Sequence, residues 1–477
     1  MSRHNSETYD VVIIGAGISG LVCGCYLARA GMKVLLVEQH DKPGGYCTSF
    51  MRKGFTFDAA AHSFGSYREG GNFRKILHEL GIDKKVRISR FDPSDVLITP
   101  DFTATFWNNT TDTINELGNI FPAEKSNIDR YFSYYNDTAP ADQFESVKLK
   151  DKSYADFLSS FFTNKTLMSA ISFPVLGNGG LPPSMLHAFT GTKIFREFMV
   201  DGGYYPEGGM QNLPNALAAI VKENTGAVLY KTLVKRILTK KNIAIGVELD
   251  NQTTVYSKYI VSACDVTQTF QSLLGKAVVG EKIAGRLAQM VPSISTFTLY
   301  LGIDMPFTGL PQAGTNIWHL PHYDLDTIYN DITLGDIKNF GGGGFMFRVS
   351  PDKKTILAFC GAPYKTTSFW EQNKKKIAEN FLSRLEQRVP GIRSHVAFFD
   401  ASTPHTLYRY TLNYEGANYG WAPTQKQLFD PDFRQKSPVQ GLYLTGHWTA
   451  QTHGIPGVAY LGYTTAKLIL NREKPNT

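Results

Sequence analysis

The chain has 477 residues, of which 42% are hydrophobic, 13% aromatic and 19% charged, and its formal net charge is +7. This length fits two domains better than one simple core, and the composition is that of a globular protein with material for a large apolar cavity. The basic residues are scattered and form no recognition motif, which argues against nucleic-acid binding. The 5 cysteines lack a C-x-x-C pair and a His-rich ligand spacing, so we expect no metal site and a reducing cytoplasm.

The N-terminal elements predict a nucleotide-binding fold. Residues 11–14 are a β-branched run typical of a buried parallel strand, residues 17–30 read as a helix, and residues 33–37 are a second apolar strand. The uncharged stretch 11–28 could pass for a membrane span or a signal sequence, but its glycine spacing and its strand-like start indicate a β-α-β unit instead. Such a unit implies an open parallel sheet whose ligand lies beyond the carboxyl ends of the strands.

Helical and strand patterns then alternate in blocks. Helices are predicted at 73–80, 111–120, 125–135, 371–388 and 458–470, and strands at 228–230, 234–239, 243–249, 259–262, 295–301, 356–360 and 442–445. We therefore predict an α/β fold in which a Rossmann-type dinucleotide-binding domain (8–71, 201–290 and 401–477) is interleaved with an α+β substrate domain (72–200 and 291–400).

The turn after the first strand has the G-x-G-x-x-G pattern, formed by Gly15, Ala16, Gly17, Ile18, Ser19 and Gly20. Gly15 permits the tight turn, Gly17 lets the backbone approach a pyrophosphate at the helix N-terminus, and Gly20 allows close packing of helix on sheet. At the end of the second strand, the Glu38 carboxylate is placed to accept both ribose hydroxyls, and its neighbour Gln39 belongs to the same predicted site. These residues alone leave open whether the dinucleotide is NAD or FAD.

A second group of residues indicates the flavin. Pro43, Gly44 and Gly45 follow closely, and residues 53–58 (K-G-F-T-F-D) precede Ala61 and His62. Together with the late strand and turn at 442–446, this arrangement resembles the flavin amine oxidase and carotenoid desaturase superfamily, where a second glycine pair after the acidic residue accompanies FAD. The resemblance implies FAD, bound partly by Gly45.

Three further blocks narrow the resemblance. They are G-Y-Y-P-E-G-G-M at 203–210, R-Y-T at 409–411 with Y-G-W at 419–421, and G-I-P-G-V at 454–458. They look like stretches of carotenoid desaturases, carotenoid isomerases and retinol saturases, and the match covers nearly the whole chain. It implies that Val234 contacts adenine through its backbone and that Gly446 and Ile455 lie beside the ribityl chain and the ring. His447 stands where many amine oxidases have an acidic residue, which argues against that branch.

Three side chains are candidates for catalysis: His62, Tyr205 and Arg409. His62 lies at the flavin if the resemblance to retinol-saturase-like proteins holds, and it is otherwise a histidine satisfied by the core. Tyr205 and Arg409, with Tyr410, either line a substrate tunnel or pack the junction between the domains. No acid/base dyad stands out, which suits hydride transfer to a cofactor.

The predicted function is FAD-dependent oxidation of a long polyene or isoprenoid lipid, such as a carotenoid, by hydride transfer to flavin N5. Two alternatives within the resemblance are cis-trans isomerisation and saturation of a double bond on reduced FAD. Two alternatives of other classes also remain. They are a flavin amine oxidase and a flavin-bearing binding protein without turnover.

The predicted substrate indicates the location of the enzyme in the cell. A long apolar lipid resides in the bilayer, so we expect a cytoplasmic protein that binds the membrane surface peripherally. The helices between residues 72 and 200 combine aromatic and basic residues and are the predicted membrane-facing surface.

Overall fold

The computed structural model of the chain describes residues 8–137, 147–334, 343–428, 433–449 and 454–474. In chain order its strands are β1 (Thr8–Ile14), β2 (Val34–Val37), β3 (Ser49–Arg52), β4 (Phe55–Asp58), β5 (Ile88–Arg90), β6 (Asp95–Ile98), β7 (Thr103–Phe106), β8 (Tyr204–Pro206), β9 (Gly226–Leu229), β10 (Val234–Lys240), β11 (Ile243–Leu249), β12 (Thr254–Ser262), β13 (Ser295–Ile303), β14 (Asn316–His319), β15 (Phe345–Val349), β16 (Thr355–Ala362), β17 (Val396–Ser402) and β18 (Leu442–Leu444). Its helices are α1 (Ile18–Arg29), α2 (Asn72–Glu79), α3 (Thr110–Ile120), α4 (Lys125–Asp137), α5 (Tyr154–Ser159), α6 (Lys165–Gly179), α7 (Ala188–Ile194), α8 (Asn212–Glu223), α9 (Lys276–Leu287), α10 (Leu325–Leu334), α11 (Thr367–Glu386), α12 (Pro404–Thr411) and α13 (Gly454–Glu473).

The first sheet confirms the predicted β-α-β opening. Its strand order is β10-β11-β12-β1-β2-β9, and β18 pairs with β12. The pairs around β1 and β2 are parallel, as is β12 with β18, whereas β10, β11 and β12 pair antiparallel. Because β2 and β12 lie on opposite sides of β1, the strand order reverses there, and such a switch point leaves a ligand crevice at the carboxyl ends.

The second sheet has the order β17-β13-β16-β15-β14-β6-β7. Its neighbours pair antiparallel except for β14 with β6. The helix α11 covers one face: Trp370, Ile377 and Phe381 are buried against Phe297 and Phe345 of the sheet. The opposite face of the second sheet is not covered by α11, and it is the face towards the domain of the first sheet.

Two further sheets have two strands each: β3 pairs with β4, and β5 pairs with β8. Strands of the first sheet fall within 8–71, 201–290 and 401–477, and those of the second sheet fall within 72–200 and 291–400, except that β17 runs to Ser402. The domain limits remain a prediction that this segregation of strands supports.

The described aromatic residues of the region 72–200 are buried or half-buried, whereas the sequence predicts that they help to form a surface. A buried cluster holds Tyr131, Phe132, Phe157, Phe162 and Phe195. Within it the Tyr131 ring packs against the rings of Phe162 and Phe195, with centroid distances of 5.1 and 5.0 Å. Among the described residues, no helix combines the length and the apolar character that a membrane crossing needs.

Candidate functional site

The carboxyl ends of four strands in the first sheet border one large cavity. Gly15 after β1, Glu38 after β2, Ala263 after β12 and Gly446 near the end of β18 all line it. The cavity has a volume of about 1710 Å³ including the open solvent at its mouth. Its lining continues from the glycine-rich turn and Glu38 to Phe198 and Phe359, which belong to the predicted substrate domain.

The three glycines of the first turn have different reasons to be glycine. Gly15 has φ +98°, and a Cβ on Gly20 would lie 2.2 Å from the Gly15 carbonyl oxygen, so the fold itself requires both. Gly17 has φ −67° and a Cβ there would meet nothing within 4 Å. The fold does not demand a glycine at position 17, whereas a ligand that approaches the backbone does.

Glu38 is tied to this turn. Its Oε2 accepts a hydrogen bond from the Ala16 N–H at 2.8 Å, and its Oε1 accepts one from the His40 N–H at 2.8 Å. The residue is only 9% exposed. A carboxylate offers about four acceptor positions, so two remain for hydroxyl groups of a ligand. Gln39 also lines the cavity and donates from Nε2 to the Tyr410 carbonyl oxygen at 2.9 Å.

The other predicted cofactor residues surround the same cavity, with two exceptions. Gly45, Ser19, Val234, Gly446 and Ile455 line it. Ala16 and Gly20 do not line the cavity. The Ala16 carbonyl oxygen accepts a hydrogen bond from the Gly44 N–H at 2.8 Å. The Ser19 and Thr445 hydroxyl oxygens lie 2.6 Å apart, which joins the first helix to the turn after β18.

The His62 ring is held by a buried polar network. The Asn316 Nδ2 donates to Asp95 Oδ1 at 3.0 Å, so Asn316 Oδ1 faces His62 Nδ1 at 3.1 Å and must accept from it. This arrangement assigns the proton to Nδ1 and leaves Nε2 as the acceptor of the ring. Burial, and secondarily the nearby Arg348 guanidinium, lower the pKa of His62 to about 3.

Tyr205 and Arg409 do not line this cavity. The Tyr205 hydroxyl donates to Asp58 Oδ2 at 2.5 Å, and the residue lines a second, smaller chamber together with His62. Arg409 is exposed on α12, and its guanidinium lies over the Tyr410 ring at 4.9 Å. The structure therefore brings His62 and Tyr205 together and leaves Arg409 apart.

Several lining residues were not singled out from the sequence. They are Tyr46, Phe198, Cys264, Phe359, Asn413 and Tyr419. Tyr419 lies in the Y-G-W block, and Tyr46 follows the second glycine pair. Tyr410, which the sequence offers as a residue of the substrate tunnel, also lines the cavity. Phe198 and Phe359 carried no local signal, because only the packing of the two domains brings them to the cavity.

The cavity has few charged side chains. Among the described residues that line it, Glu38 is the one carboxylate, and none is a lysine or an arginine. Burial also raises the pKa of the Cys264 thiol to about 12, so this side chain is a neutral thiol. Away from Glu38, the lining thus has no carboxylate, lysine or arginine and includes many apolar and aromatic groups.

The comparison with known proteins gives the class. The family model described as flavin containing amine oxidoreductase matches residues 18–470. The chain therefore belongs to this family, and it is a flavin-dependent oxidoreductase.

Curated relatives are more specific in their names. All-trans-retinol 13,14-reductase of Danio rerio is 25% identical, with 98% of this chain and 86% of that protein aligned. Prolycopene isomerase 2 of an Oncidium hybrid cultivar is 27% identical, covering 97% and 84%. A lycopene-forming phytoene desaturase of Pseudescherichia vulneris is 26% identical, covering 96% and 98%.

Solved structures share the fold. An oxidoreductase from Methanosarcina mazei has a TM-score of 0.68 and 18% identity, covering 96% of this chain and 100% of that chain. A triple mutant of putrescine oxidase has a TM-score of 0.66 and 15% identity, covering 98% and 99%.

The cofactor of the chain is FAD, as its family indicates. The open space beside Gly17 and the partly free Glu38 carboxylate fit its pyrophosphate and its ribose. We propose that Gly15, Gly17, Ser19, Glu38, Gln39, Gly45, Val234, Gly446 and Ile455 contact it, with Ala16 and Gly20 shaping the turn.

Proposed function

We propose that this FAD-dependent oxidoreductase acts on a long polyene or isoprenoid lipid and most readily desaturates it. The observation that supports this proposal is the uncharged cavity beyond Glu38, which is lined by Phe198, Phe359, Ile455 and Val458. Burying several hundred Å² of apolar substrate at about 25 cal/mol per Å² contributes on the order of 10 kcal/mol. A hydrocarbon chain therefore gains binding energy here without a charged partner.

When bound, FAD would supply the redox chemistry as the acceptor of a hydride from an allylic carbon, while a proton leaves the neighbouring carbon. The residues of the chain orient the substrate and exclude water from it. His62 is neutral and its Nδ1 proton is held by Asn316, so its Nε2 can accept but not donate a hydrogen bond. We propose a positioning or proton-accepting role for His62 at the flavin.

Two reactions of the same kind of substrate remain as alternatives. The names of the three relatives denote a reductase, an isomerase and a desaturase, and each acts on a retinoid or carotenoid. Cis-trans isomerisation and saturation both start from reduced FAD, whereas desaturation starts from the oxidised cofactor. Chromatographic analysis of products from a panel of carotenoids and retinoids, under oxidising and under reducing conditions, separates the three. Products with extra double bonds under oxidising conditions support desaturation, and their absence there with isomers or saturated products under reducing conditions overturns it.

Amine oxidation is the alternative from another reaction class. Its support is the family itself, because the matching family model is that of amine oxidoreductases. Against it stands the residue after Gly446, which is His447, and the lack of a second carboxylate among the described lining residues. A protonated amine would lose its hydration in this cavity without a partner for its charge.

We also propose a peripheral membrane surface on the substrate domain. Since its described aromatic residues are buried or half-buried, we propose other side chains for this surface. Val147 is 73% exposed, and Lys148, Lys150 and Lys152 near it are exposed as well, with Asp151 as the one acidic side chain among residues 147–152. An apolar side chain among lysines suits an anionic bilayer, where each lysine contributes about 1 kcal/mol.

A further inference from the structure

A second, smaller chamber shares the lining residue His62 with the flavin cavity. It has a volume of about 340 Å³ including its mouth, and Asp58, Tyr205 and Arg348 line it with His62. Its rim includes Pro351, which is exposed and lies at the turn between β15 and β16. The chamber is therefore open towards solvent at Pro351 and ends at the His62 ring.

Arg348 is an unusual residue for its position. The strand β15 is buried along its whole length, with the sequence F-M-F-R-V, and Arg348 is only 4% exposed. Its neighbours Phe347 and Val349 point into the core beneath α11, so Arg348 points to the opposite face of the sheet. A charged side chain in such a strand needs a partner that repays the loss of its hydration.

The protein supplies no such partner at two of the guanidinium nitrogens. Nε and Nη2 of Arg348 are buried and have no hydrogen-bond acceptor among the described residues. The planar group instead lies against the rings of Tyr205 at 4.6 Å and Phe91 at 5.1 Å. Nε and Nη2 share one edge of the guanidinium, with parallel N–H bonds, and this is the edge that binds a carboxylate through two hydrogen bonds.

The acidic side chains near Arg348 make their hydrogen bonds with other donors. Asp58 accepts hydrogen bonds from the Ser49 hydroxyl, the Tyr205 hydroxyl and the Met210 N–H. Asp95 Oδ1 accepts from Asn316 and from Trp318, while Asp95 Oδ2 is buried without a hydrogen-bond partner among the described residues. The two carboxylates stabilise the charge of Arg348 from a distance, but neither accepts a hydrogen bond from its Nε or Nη2.

We propose that this chamber is a binding site for a carboxylate, held by Arg348 next to the flavin cavity. Two sources can supply such a group: a small organic acid that enters from solution at Pro351, or the oxidised end of a lipid that extends past His62. The proposal concerns binding, and it does not depend on which reaction the flavin carries out.

The first test measures acetate binding to the FAD-loaded protein by calorimetry, with sodium chloride at the same ionic strength as the reference. Wild-type protein should bind acetate saturably, and Arg348→Met should bind it at least about tenfold more weakly, because two charge-assisted hydrogen bonds are lost. Arg348→Lys keeps the positive charge but lacks the pair of parallel N–H bonds, so its affinity for acetate should lie between those of wild type and Arg348→Met. Arg409→Met is the matched control, since that guanidinium is exposed and outside the chamber, and it should bind as wild type does.

The second test distinguishes the sources, using a polyene carboxylic acid and the alcohol of the same chain. If the lipid end occupies the chamber, the acid binds more tightly than the alcohol, acetate competes with it, and Arg348→Met removes the difference. If a free acid occupies it, acetate binds without displacing the polyene. Absence of saturable acetate binding to wild-type protein, together with equal affinity for acid and alcohol, overturns the proposal even if Arg348→Met does not fold. Equal acetate binding by wild type and Arg348→Met also overturns it, and would leave Arg348 a structural partner of the two rings.

Discussion

The Glu38 carboxylate accepts a hydrogen bond of 2.8 Å from the backbone N–H of Ala16. This contact joins the end of β2 to the glycine-rich turn at the end of β1, so the pyrophosphate-binding turn and the predicted ribose-binding side chain hold one another in place. The site for the nucleotide is thus organised by the chain before the cofactor binds, which lowers the entropic cost of binding.

Replacing Glu38 should release FAD. Glu38→Ala loses the proposed ribose contacts, each worth about 1.5–3 kcal/mol, and the acceptor of the Ala16 N–H. We expect the dissociation constant of FAD to rise by at least about tenfold. The flavin-to-protein ratio after gel filtration and a titration of the apoprotein measure this. Glu248→Ala, which removes a carboxylate paired with Arg236 on β10, is the control and should keep FAD. Full occupancy in Glu38→Ala would show that the residue has a structural role alone.

Two alanine substitutions separate the ligand from the fold. In Gly17→Ala the new Cβ meets no protein atom within 4 Å, so the apoprotein should keep its stability to within about 1 kcal/mol while FAD affinity falls. In Gly20→Ala the new Cβ would lie 2.2 Å from the Gly15 oxygen, so the apoprotein itself should lose about 1–3 kcal/mol. Denaturant unfolding of both apoproteins, followed by FAD titration, checks the contrast. A Gly17→Ala protein with unchanged FAD affinity would place the pyrophosphate elsewhere.

His62 should make stability depend on pH. Burial, with the charge of Arg348, lowers its folded-state pKa to about 3 from the ordinary 6.5, so the unfolded chain binds the proton more tightly. The contribution of His62 is therefore present above about pH 6.5 and is lost as the pH falls towards 3. Between these values the unfolding free energy of wild type should fall with pH more steeply than that of His62→Gln, by up to about 1.4 kcal/mol per pH unit. Parallel curves for the two proteins between pH 6.5 and 4 would contradict the buried, neutral His62.

The lysines beside Val147 should govern membrane binding. Changing Lys148 and Lys150 together to glutamate should weaken binding to anionic liposomes by roughly tenfold or more, because each lysine contributes about 1 kcal/mol near such a surface. The same change at Lys240, the last residue of β10, and Lys241, in the turn that follows, is the control and should leave flotation unchanged. If wild-type protein floats with neither anionic nor neutral liposomes and still converts a polyene in detergent, the membrane proposal is wrong.

The sequence predicts the parts of the site that lie close together along the chain. The turn around Gly17 and the acidic Glu38 follow from glycine spacing and strand order, and the structure places both at the cavity. His62 could be proposed only through resemblance, because its partner Asn316 is 254 positions away. In the sequence, Arg348 is recognisable only as a lone charged residue in an apolar strand. That its donors are unpaired depends on how Phe91 and Tyr205 pack around it, which the sequence does not show. The sequence predicts a surface for the aromatic residues of 72–200, because a helix pattern does not show which face a neighbouring helix will cover.

The most direct measurement is anaerobic titration of the oxidised, FAD-loaded protein, followed through the visible absorbance of the flavin. The account predicts that carotenoid or retinoid polyenes bleach the flavin while a panel of amines, including putrescine and aromatic amines, leaves it oxidised. Chromatography of the same samples should show a polyene with an additional double bond for each flavin reduced. Bleaching by an amine, with no change on addition of any polyene, would contradict the account and return the chain to the amine-oxidising members of its family.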